Sequence, residues 1–465
     1  DTEVIAHLIE DFYKELDFPT SVRQTFNMLH GLNAIVVVNA RSSEIVAAKN
    51  GSPLVVGVGK EEFFIASDVA GILHHTKDVI FLKDHEMVVL GKEVKLLQLP
   101  DGKEIQSVIE KISWKIEQAE KGEFEHFLLK EIYEQPKIIR NVAQNYSDQV
   151  DDLAEVLSAA QGIFFIGAGT ASYACLAGSY LFSKIANMHV NTLPASEFNY
   201  LEDFLTKKSL VIALSQSGET IDVIEPLTRA KQKGSKIACL VNALGSTIYR
   251  MSDYKMLLGA GPEKAVAATK SYSAKLSLLL MLSFSLARKM TEAETLLLEA
   301  ADIIDELLSE KKINQIQMLA KMLAKKEHMY TIGRGFSYPT ALEAALKVKE
   351  VSYIHAEGLA GGELKHGSLA LIEKGTPCIV FAPQDETYEA IISNAIEIKS
   401  RGGFIIGISS KNSQAFDEFI EVKHVPSSYI LTQIVPVQLL AYFLALEKGL
   451  DPDKPRNLAK SVTVK

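Results

Sequence analysis

The sequence predicts an α/β protein in which two doubly wound parallel sheets follow a β-rich region. From Gly162 onward, continuous apolar strands alternate with helices, which is typical of a parallel sheet covered on both faces. The same arrangement then returns, because Gly169 and Gly335 close similar strings 166 positions apart. A repeat of this length indicates a duplicated domain, and 465 residues suffice for about two to four domains.

The β-rich region comes first. Residues 31–95 alternate short apolar runs with turn residues, which is the pattern of hairpins in an antiparallel sheet. The runs are Ala34–Val38, Pro53–Gly57 and Phe63–Ala66. Beyond Pro100 we expect a charged helical stretch over Val108–Lys121 and on from His126 to Asn141, and we interpret it as a linker into the next domain.

The first α/β repeat follows this linker. Its expected strands are Gly162–Ile166, Leu210–Leu214, Lys236–Val241 and Tyr254–Leu258, and its expected helices are Ala171–Ala186 and Thr220–Lys233. Two helices, Ala293–Leu308 and Ile313–Lys325, are expected to join the repeats. A last helix, Leu431–Lys448, is expected to precede a polar tail over residues 449–465.

The two repeats differ at one turn. Ser215-Gln216-Ser217 in the first becomes Pro383-Gln384-Asp385 in the second, while Thr220 and Thr387 keep their places 167 positions apart. Because a carboxylate replaces hydroxyls, we expect the second repeat to have lost any ability to bind an anion at this turn.

Composition excludes several classes of function. A net charge of −9, a pI near 5.8 and the lack of a long basic run argue against a nucleic-acid partner. Apolar stretches such as Leu276–Leu286 fall short of the roughly 20 residues that cross a bilayer, and no signal peptide is recognisable, so a cytoplasmic protein without membrane contact is expected. Cys175, Cys239 and Cys378 are widely spaced, which fits buried core residues and neither disulfides nor a metal site.

The turn Ser215–Thr220 is the clearest candidate binding motif. It joins an expected strand to the N-terminus of a helix, where unpaired amides and the helix dipole favour an anion. Three hydroxyls, an amide and a glycine could cage a phosphate dianion without lysines; alternatively, the motif is a serine-rich helix cap. Gly167–Thr170 could form a second wall or be a tight turn, and Ser172 stands where a dinucleotide-binding motif would have its third glycine.

Candidate reactive side chains lie in the second repeat and the tail. Glu343, Lys347 and Glu350 share one helix face, which suits proton transfer beside a carbonyl but would equally suit a solvated ladder of ion pairs. His366 lies in a glycine-flanked loop and could act as an acid and base, or be an ordinary surface histidine. Lys460 could form a Schiff base with a ketose, or be a solubilising charge in the tail.

Several strings together resemble the glutamine:fructose-6-phosphate amidotransferase family along practically the whole chain. They occur in family order: Ser215–Thr220, Gly261–Glu263, Ala345–Glu350, Tyr353–Glu357, Gly362–Gly367 and Pro455–Val464. The resemblance implies flavodoxin-like sugar-isomerase (SIS) domains after part of an N-terminal-nucleophile (class II) glutaminase domain of α+β type. The implied domains are residues 1–120 (glutaminase part), 121–290 (first SIS domain), 291–448 (second SIS domain) and 449–465 (tail).

The resemblance also implies residue roles. The positions that would bind the phosphate of fructose 6-phosphate are Thr170, Ser215, Gln216, Ser217 and Thr220, and the backbone at Val266 and Ala267 would touch the sugar. Lys460 would form the Schiff base and Glu350 would shuttle a proton between carbons 1 and 2, with Lys347 tuning its charge. His366 would assist ring opening from the partner subunit, which implies a homodimer.

Departures from the family pattern are also expected to matter. The chain begins as if in the middle of the glutaminase domain. Asp68 matches the position that binds the glutamine amino group in the family. The cysteine nucleophile is missing, so the chain as given should not hydrolyse glutamine. Four further positions depart from the family, and these are Ala171, Ala268, Ser368 and Lys465.

The resemblance therefore implies an enzyme that makes glucosamine 6-phosphate from fructose 6-phosphate, with ammonia taken from glutamine or from solution and with no cofactor or metal. Two alternatives stay open. One is a related SIS isomerase or deaminase that works with free ammonia. The other is a non-catalytic sugar-phosphate sensor, which would need the phosphate turn but not Glu350, His366 or Lys460.

Overall fold

A computed structural model describes residues 2–31, 33–112 and 120–462. Its contacts divide the chain into two units. The first comprises residues 1–120 with the segment Gly245–Arg250 and the chain end from Val462, and the second comprises Lys121–Leu244 and Met251–Ser461. The expected terminal departure at Lys465 and part of the expected linker helix, residues 113–119, lie outside the described residues.

The first unit is built on two antiparallel sheets. Its elements are helices α1 (Thr2–Phe12) and α2 (Phe18–Met28) and strands β1 (Asn33–Val38), β2 (Ile45–Asn50), β3 (Val55–Val58), β4 (Phe63–Ala66), β5 (Asp78–Phe81), β6 (Glu86–Leu90), β7 (Val94–Gln98), β8 (Lys103–Ile105) and β9 (Glu110–Lys111). The strand orders are β1-β2-β6-β7-β8 and β4-β3-β5-β9, with antiparallel pairing throughout. The predicted hairpins are therefore confirmed.

Local chemistry explains how this unit is organised. Helix α2 begins where the Asp17 carboxylate accepts the Thr20 N–H at 3.0 Å, with a proline in the first turn. Buried aliphatic side chains of both sheets pack together between them. The helix expected from Val108 is wrong at its start, because Glu110 and Lys111 pair with β5 as an edge strand. That stretch is rich in charge because it includes an exposed edge strand of the sheet, and its charges do not follow the period of a helix.

Three helices open the second unit, and a five-stranded parallel sheet follows. The elements are α3 (Phe127–Tyr133), α4 (Gln135–Asn145), α5 (Ser147–Ala159), β10 (Ile163–Gly167), α6 (Thr170–Ile185), β11 (Asn191–Pro194), α7 (Ala195–Phe198), β12 (Leu210–Ser215), α8 (Ile221–Gln232), β13 (Lys236–Val241), β14 (Tyr254–Leu257) and α10 (Lys270–Leu286). Helix α9 (Thr247–Met251) lies between β13 and β14 in the sequence, but its residues up to Arg250 belong to the first unit. The order is β11-β10-β12-β13-β14. Expected and observed bounds of the predicted strands and helices in this repeat differ by at most one residue.

The second repeat has the same topology. Its elements are α11 (Met290–Leu307), α12 (Glu310–Leu323), β15 (His328–Gly333), α13 (Ser337–Ser352), β16 (His355–Ala360), β17 (Pro377–Phe381), α14 (Tyr388–Lys399), β18 (Phe404–Ser409), β19 (Glu418–Glu421), α15 (Tyr429–Gln433) and α16 (Val435–Glu447). Its parallel sheet runs β16-β15-β17-β18-β19, the order of the first sheet repeated. In this flavodoxin-like order, ligands lie beyond the carboxyl ends of the strands at the switch point of the sheet.

One apolar segment is longer than the sequence predicted. The segment Tyr429–Glu447 is long and apolar enough to qualify as a membrane-crossing helix, although 94% of its window is buried inside the protein. It is a core helix of the second unit, and it packs in the same cluster as α10. The single expected helix is in fact two, because Pro436 in the first turn of α16 has no N–H to donate to a carbonyl of the preceding turn.

Candidate active site

The turn between β12 and α8 is organised by its own hydroxyls. Ser215 Oγ accepts the Gly218 N–H at 3.0 Å and lies 3.4 Å from Thr220 Oγ1, while Ser217 Oγ accepts the Glu219 N–H at 3.2 Å. Gly218 has a φ of +67°, a left-handed conformation that favours glycine. Thr220 is the N-cap of α8 but makes no side-chain capping bond, so the hydroxyls do not serve as an ordinary helix cap. The turn has the composition and the helix N-terminus of an anion site.

Thr170 connects the first repeat to the second. Its Oγ1 donates to Glu343 Oε1 at 3.2 Å and accepts from Lys347 Nζ at 3.0 Å. Thr170 is expected to bind the phosphate, and this expectation stays a prediction. Its side-chain hydrogen bonds within the described residues go to helix α13, so it also joins the face that carries the candidate acid–base groups.

The carboxylates and the lysine on helix α13 form a buried cluster. Lys347 Nζ lies 3.2 Å from Glu343 Oε1 and also pairs with Glu350, and the exposed fractions of Glu343, Lys347 and Glu350 are 0%, 1% and 15%. The alternative of a solvated ladder is therefore wrong. Burial raises the pKa of Glu343 to about 7 despite the Lys347 charge. Burial would lower the pKa of Lys347, but the two carboxylates outweigh it and hold that pKa above its usual value.

Lys460 reaches a buried glutamate. Its Nζ lies 2.8 Å from Glu263 Oε2, and the Glu263 side chain is fully buried. Glu263 also accepts the Thr269 and Ser271 N–H groups at 3.1 and 3.0 Å and the Ser271 hydroxyl at 2.8 Å. Burial would raise the pKa of Glu263, but the Lys460 ammonium outweighs it and lowers the pKa to about 2. Lys460 is therefore an ordered, paired amine and not a free tail charge.

The residue after Lys460 touches the phosphate turn. Ser461 Oγ lies 3.1 Å from Ser217 Oγ, so the tail brings the Lys460 amine and the hydroxyl turn into one site. Val266 is tied to the same tail, because its N–H donates to the carbonyl of Asp453 at 3.0 Å. Ala267, next to it, is fully buried. The sequence-predicted residues Ser217, Val266 and Lys460 thus meet through the tail.

Glu131 is a site residue that the sequence did not reveal. Its Oε1 accepts the Lys264 and Ala265 N–H groups at 2.5 and 3.2 Å, which fixes the loop before Val266. Burial, together with the nearby Glu263 charge, raises the pKa of Glu131 to about 8. No local motif marks this residue, since its partners lie more than 130 positions away in the sequence.

The two remaining predicted residues are His366 and Asp68. His366 ends the short 3₁₀ helix Gly361–His366 and is exposed, and within the described residues it makes no hydrogen bond to the other candidate side chains. Asp68 belongs to the first unit, where it is exposed and its carbonyl accepts the Gly71 N–H at 3.2 Å.

The corresponding turn of the second repeat carries its own anion. Asp385 Oδ1 accepts the Thr387 N–H and hydroxyl at 2.8 and 2.7 Å, and Tyr429 donates its hydroxyl to Oδ2 at 2.5 Å. Burial and this hydrogen bond hold the pKa of Tyr429 above its usual value. A carboxylate thus lies at the N-terminus of α14, where the first repeat has hydroxyls.

The three cysteines and the acidic groups do not form a metal centre among the described residues. Cys175, Cys239 and Cys378 are all buried free thiols, and burial raises the pKa of each. Residues 1–120 contain no cysteine.

Comparison with known proteins decides the family. The SIS domain model matches residues 156–284 and 322–448. Glutamine–fructose-6-phosphate aminotransferases (isomerizing) from Thermococcus kodakarensis and Pyrococcus horikoshii are each 42% identical to this chain; each alignment covers 100% of it and 79% of the relative. The chain belongs to this aminotransferase family. The family resemblance read from the sequence is thereby confirmed.

Solved structures agree with this assignment. The C-terminal domain of glucosamine-fructose-6-phosphate aminotransferase from Francisella tularensis superposes with a TM-score of 0.68 at 32% identity, covering 72% of this chain and 100% of that one. A phosphosugar isomerase structure from Silicibacter pomeroyi, with a TM-score of 0.62 and 24% identity, shares the fold. The similarity of the aminotransferases to the whole chain includes residues 1–120 as well as the two SIS domains.

Proposed function

We propose that this member of the aminotransferase family converts fructose 6-phosphate and ammonia into glucosamine 6-phosphate. The observation that carries the proposal is the tail: Lys460 pairs with buried Glu263, and Ser461 contacts Ser217 of the hydroxyl turn. An amine capable of imine formation therefore lies beside an anion site, which is the arrangement that a phosphorylated ketose needs.

In this proposal the turn Ser215–Thr220 holds the phosphate. Hydroxyl and amide side chains would surround the dianion, and the N-terminus of the 12-residue helix α8 would compensate its charge. The proposed phosphate ligands are Thr170, Ser215, Gln216, Ser217 and Thr220. The backbone at Val266 and Ala267 would then contact the sugar, because the tail holds that loop through the Asp453 carbonyl.

Lys460 carries the covalent step. Its neutral amine adds to the C2 carbonyl of the open-chain ketose, and loss of one water molecule gives the imine. Addition requires that Lys460 first lose a proton and leave Glu263, to which it is bound at 2.8 Å. The ordered pairing keeps the amine in place until the sugar arrives.

Helix α13 supplies the proton transfer between carbons 1 and 2. Glu350 is the proposed shuttle because it is the most exposed carboxylate of its cluster, at 15%. Lys347 pairs with both Glu343 and Glu350, so it holds the shuttle on the same face of α13 as Glu343. Glu343, with a pKa raised to about 7, can hold or release a proton behind this lysine near neutral pH.

Ring opening is assigned to His366 of a second subunit. Within one chain His366 is exposed and makes no described hydrogen bond to the candidate cluster, which supports a role across a homodimer interface.

We further propose that residues 1–120 are the later part of a glutaminase domain, with Asp68 holding the amino group of glutamine. Because these residues contain no cysteine, the nucleophile for glutamine hydrolysis must come from outside them, or ammonia from solution must replace it. The cytoplasm is the proposed compartment.

The experiment is an assay of glucosamine 6-phosphate formation from fructose 6-phosphate with ammonium or glutamine, combined with borohydride trapping of the imine. We expect product with ammonium, an adduct at Lys460, and no turnover by Lys460→Ala, which should still bind fructose 6-phosphate in calorimetry. Lys454→Ala, which removes an exposed lysine from the same tail, is the matched control and should keep full activity. Turnover by Lys460→Ala at the normal rate would refute the mechanism.

The two alternatives have less support. The phosphosugar isomerase structure covers 70% of the chain, whereas the aminotransferase alignments cover 100% of it. A sensor without catalysis would have no use for the buried pairs of Lys347 and Lys460. Release of ammonia from glucosamine 6-phosphate without net synthesis in the assay would favour a deaminase.

A further inference from the structure

Lys275 is a buried lysine to which the proposed mechanism gives no role. It lies on α10 among fully buried apolar residues and is 1% exposed. Its Nζ donates to Ser271 Oγ at 3.5 Å, the limit of a hydrogen bond, and no carboxylate of the described residues comes within 4 Å of it. Burying an ammonium with so little compensation costs stability, so its position calls for a functional reason.

Another buried lysine on the same helix is fully compensated. Lys270, 2% exposed, places its Nζ 2.6 Å from Glu134 Oε2. The helix can therefore bury a lysine with a direct carboxylate partner, and Lys275 lacks one among the described residues.

A chain of hydrogen bonds links Lys275 to the Schiff-base lysine. Lys275 Nζ donates to Ser271 Oγ, the Ser271 hydroxyl donates to Glu263 Oε2 at 2.8 Å, and Lys460 Nζ donates to the same oxygen at 2.8 Å. Glu263 therefore lies between two lysines, one in direct contact and one behind a hydroxyl.

The charged and titratable groups that act on Lys275 come from every element around it: Glu263 from the loop before α10, Lys460 from the tail, Glu343 from α13 and Cys175 from α6. Glu131 of α3 interacts in turn with Glu263, Lys460 and Lys270. Burial lowers the pKa of Lys275 to about 8, against the attraction of Glu263. Lys275 is thus a cation that can lose or regain its proton near pH 8.

We infer that Lys275 is a positioning residue for Lys460: acting through Ser271 and Glu263, it compensates the Glu263 carboxylate when Lys460 becomes a neutral amine. The inference rests on the proposed function, since it requires that Lys460 form the imine. In the resting site, Lys460 neutralises Glu263. When Lys460 leaves to attack the carbonyl, Glu263 would be a fully buried carboxylate without a cation, and Lys275 supplies the remaining positive charge.

The proton balance is simple. Lys460 loses one proton. When the Lys275 amine is neutral, the proton goes to it through Glu263 and Ser271. When Lys275 is already charged, the proton goes to solvent, which reaches Lys460 because its side chain is 25% exposed. No other bond forms or breaks in this step. When Lys275 is charged, its positive charge weakens the hold of Glu263 on Lys460; when Lys275 is neutral, it accepts the proton instead, and in either case Lys460 becomes a nucleophilic amine at a lower pH.

The test is the pH dependence of imine trapping. Borohydride is added to enzyme and fructose 6-phosphate between pH 6 and 9.5, and the initial rate of adduct formation at Lys460 is measured for the wild type and for Lys275→Met. We expect the midpoint to rise by about one pH unit in Lys275→Met, because the variant removes a charge that acts on Lys460 through a hydroxyl and a carboxylate in a protein interior. Methionine has a similar length and no charge to bury, so the fold should not suffer.

Control variants separate this role from a structural one. Lys270→Met removes a buried charge from the same helix and should leave the midpoint unchanged, whereas Ser271→Ala, which interrupts the chain without a large cavity, should raise it. Equal midpoints in the wild type and Lys275→Met, or an equal rise in Lys270→Met, would overturn the inference while the proposed function stands. Absence of any Lys460 adduct in the wild type would overturn the proposed function and the inference with it.

Discussion

Replacing Glu131 by glutamine tests the electrostatics of the site independently of catalysis. Glu131 is buried, and one of its oxygens accepts two backbone N–H groups of the loop before Val266. Its other oxygen, Oε2, has no hydrogen-bond partner among the residues that the structure describes. Glutamine keeps the accepting oxygen and places an amide where a protonated carboxyl would have its hydroxyl. Glu131→Gln is therefore a close copy of the protonated form.

The magnitude follows from the pKa. In the folded protein the pKa of Glu131 is about 8, chiefly because of burial, against an ordinary value of 4.5. Between these values the folded state holds one proton more than the unfolded state, so stability falls as the pH rises, by about 1.4 kcal/mol for each pH unit. From pH 5 to pH 8 the wild type should lose of the order of 4 kcal/mol relative to Glu131→Gln.

The assay is urea unfolding followed by circular dichroism at several pH values, with the variant and the wild type always compared at the same pH. The difference cancels the titration of all other groups, so a curve that rises in favour of Glu131→Gln from pH 5 to 8 reports this residue. Glu155→Gln, at an exposed position on α5, is the control and should give a flat difference. A flat curve for Glu131→Gln as well would show that the carboxyl is ionised in the fold and would refute the reasoning.

Two other substitutions probe the two repeats. Ser217→Ala removes a hydroxyl proposed to bind the phosphate. Because a hydrogen bond to a charged group is worth about 1.5–3 kcal/mol, KM for fructose 6-phosphate should rise roughly 10- to 100-fold with kcat little changed. An unchanged KM in steady-state assays would contradict the assignment. Tyr429→Phe removes the hydroxyl that donates to Asp385, so the free energy of unfolding should fall by about 1–3 kcal/mol in urea titrations, while KM stays constant because this turn is outside the sugar site. A changed KM would mean that the second turn takes part in binding.

Much of the fold follows from local pattern and from the repeat. Strands β10, β12 and β13 are continuous apolar runs buried on both faces, and such runs are visible in the sequence. The edge strands β11 and β16 were not predicted. Strand β11 is half-buried and partly polar, and β16 contains Gly358, whose position leaves no room for a Cβ beside the backbone of Ala341 and Leu342. Their strand character comes from the neighbouring strand and not from their own composition.

In the candidate site, too, some residues could be predicted from the sequence and others could not. The hydroxyl turn could be found because all its residues are adjacent in sequence and precede a helix. The partner of Lys460 could not, since Glu263 is 197 positions away and becomes a partner only when the tail folds back. Likewise, the residues of the α13 cluster share a face in any helix, but whether that face is solvated or buried depends on Thr170 and its helix packing against it.

The distribution of charge explains why the phosphate is best held without lysines. Lys347 is bound by two carboxylates and Lys460 by Glu263, so both of these cations already have a counter-charge. A phosphate dianion in direct contact with Lys460 would favour its ammonium form and prevent the addition step, because a nearby negative charge raises the pKa of an amine. Hydroxyls and a helix N-terminus bind the dianion without competing for that lysine. In the second repeat, Asp385 occupies the equivalent turn, which supports the first repeat as the proposed phosphate site.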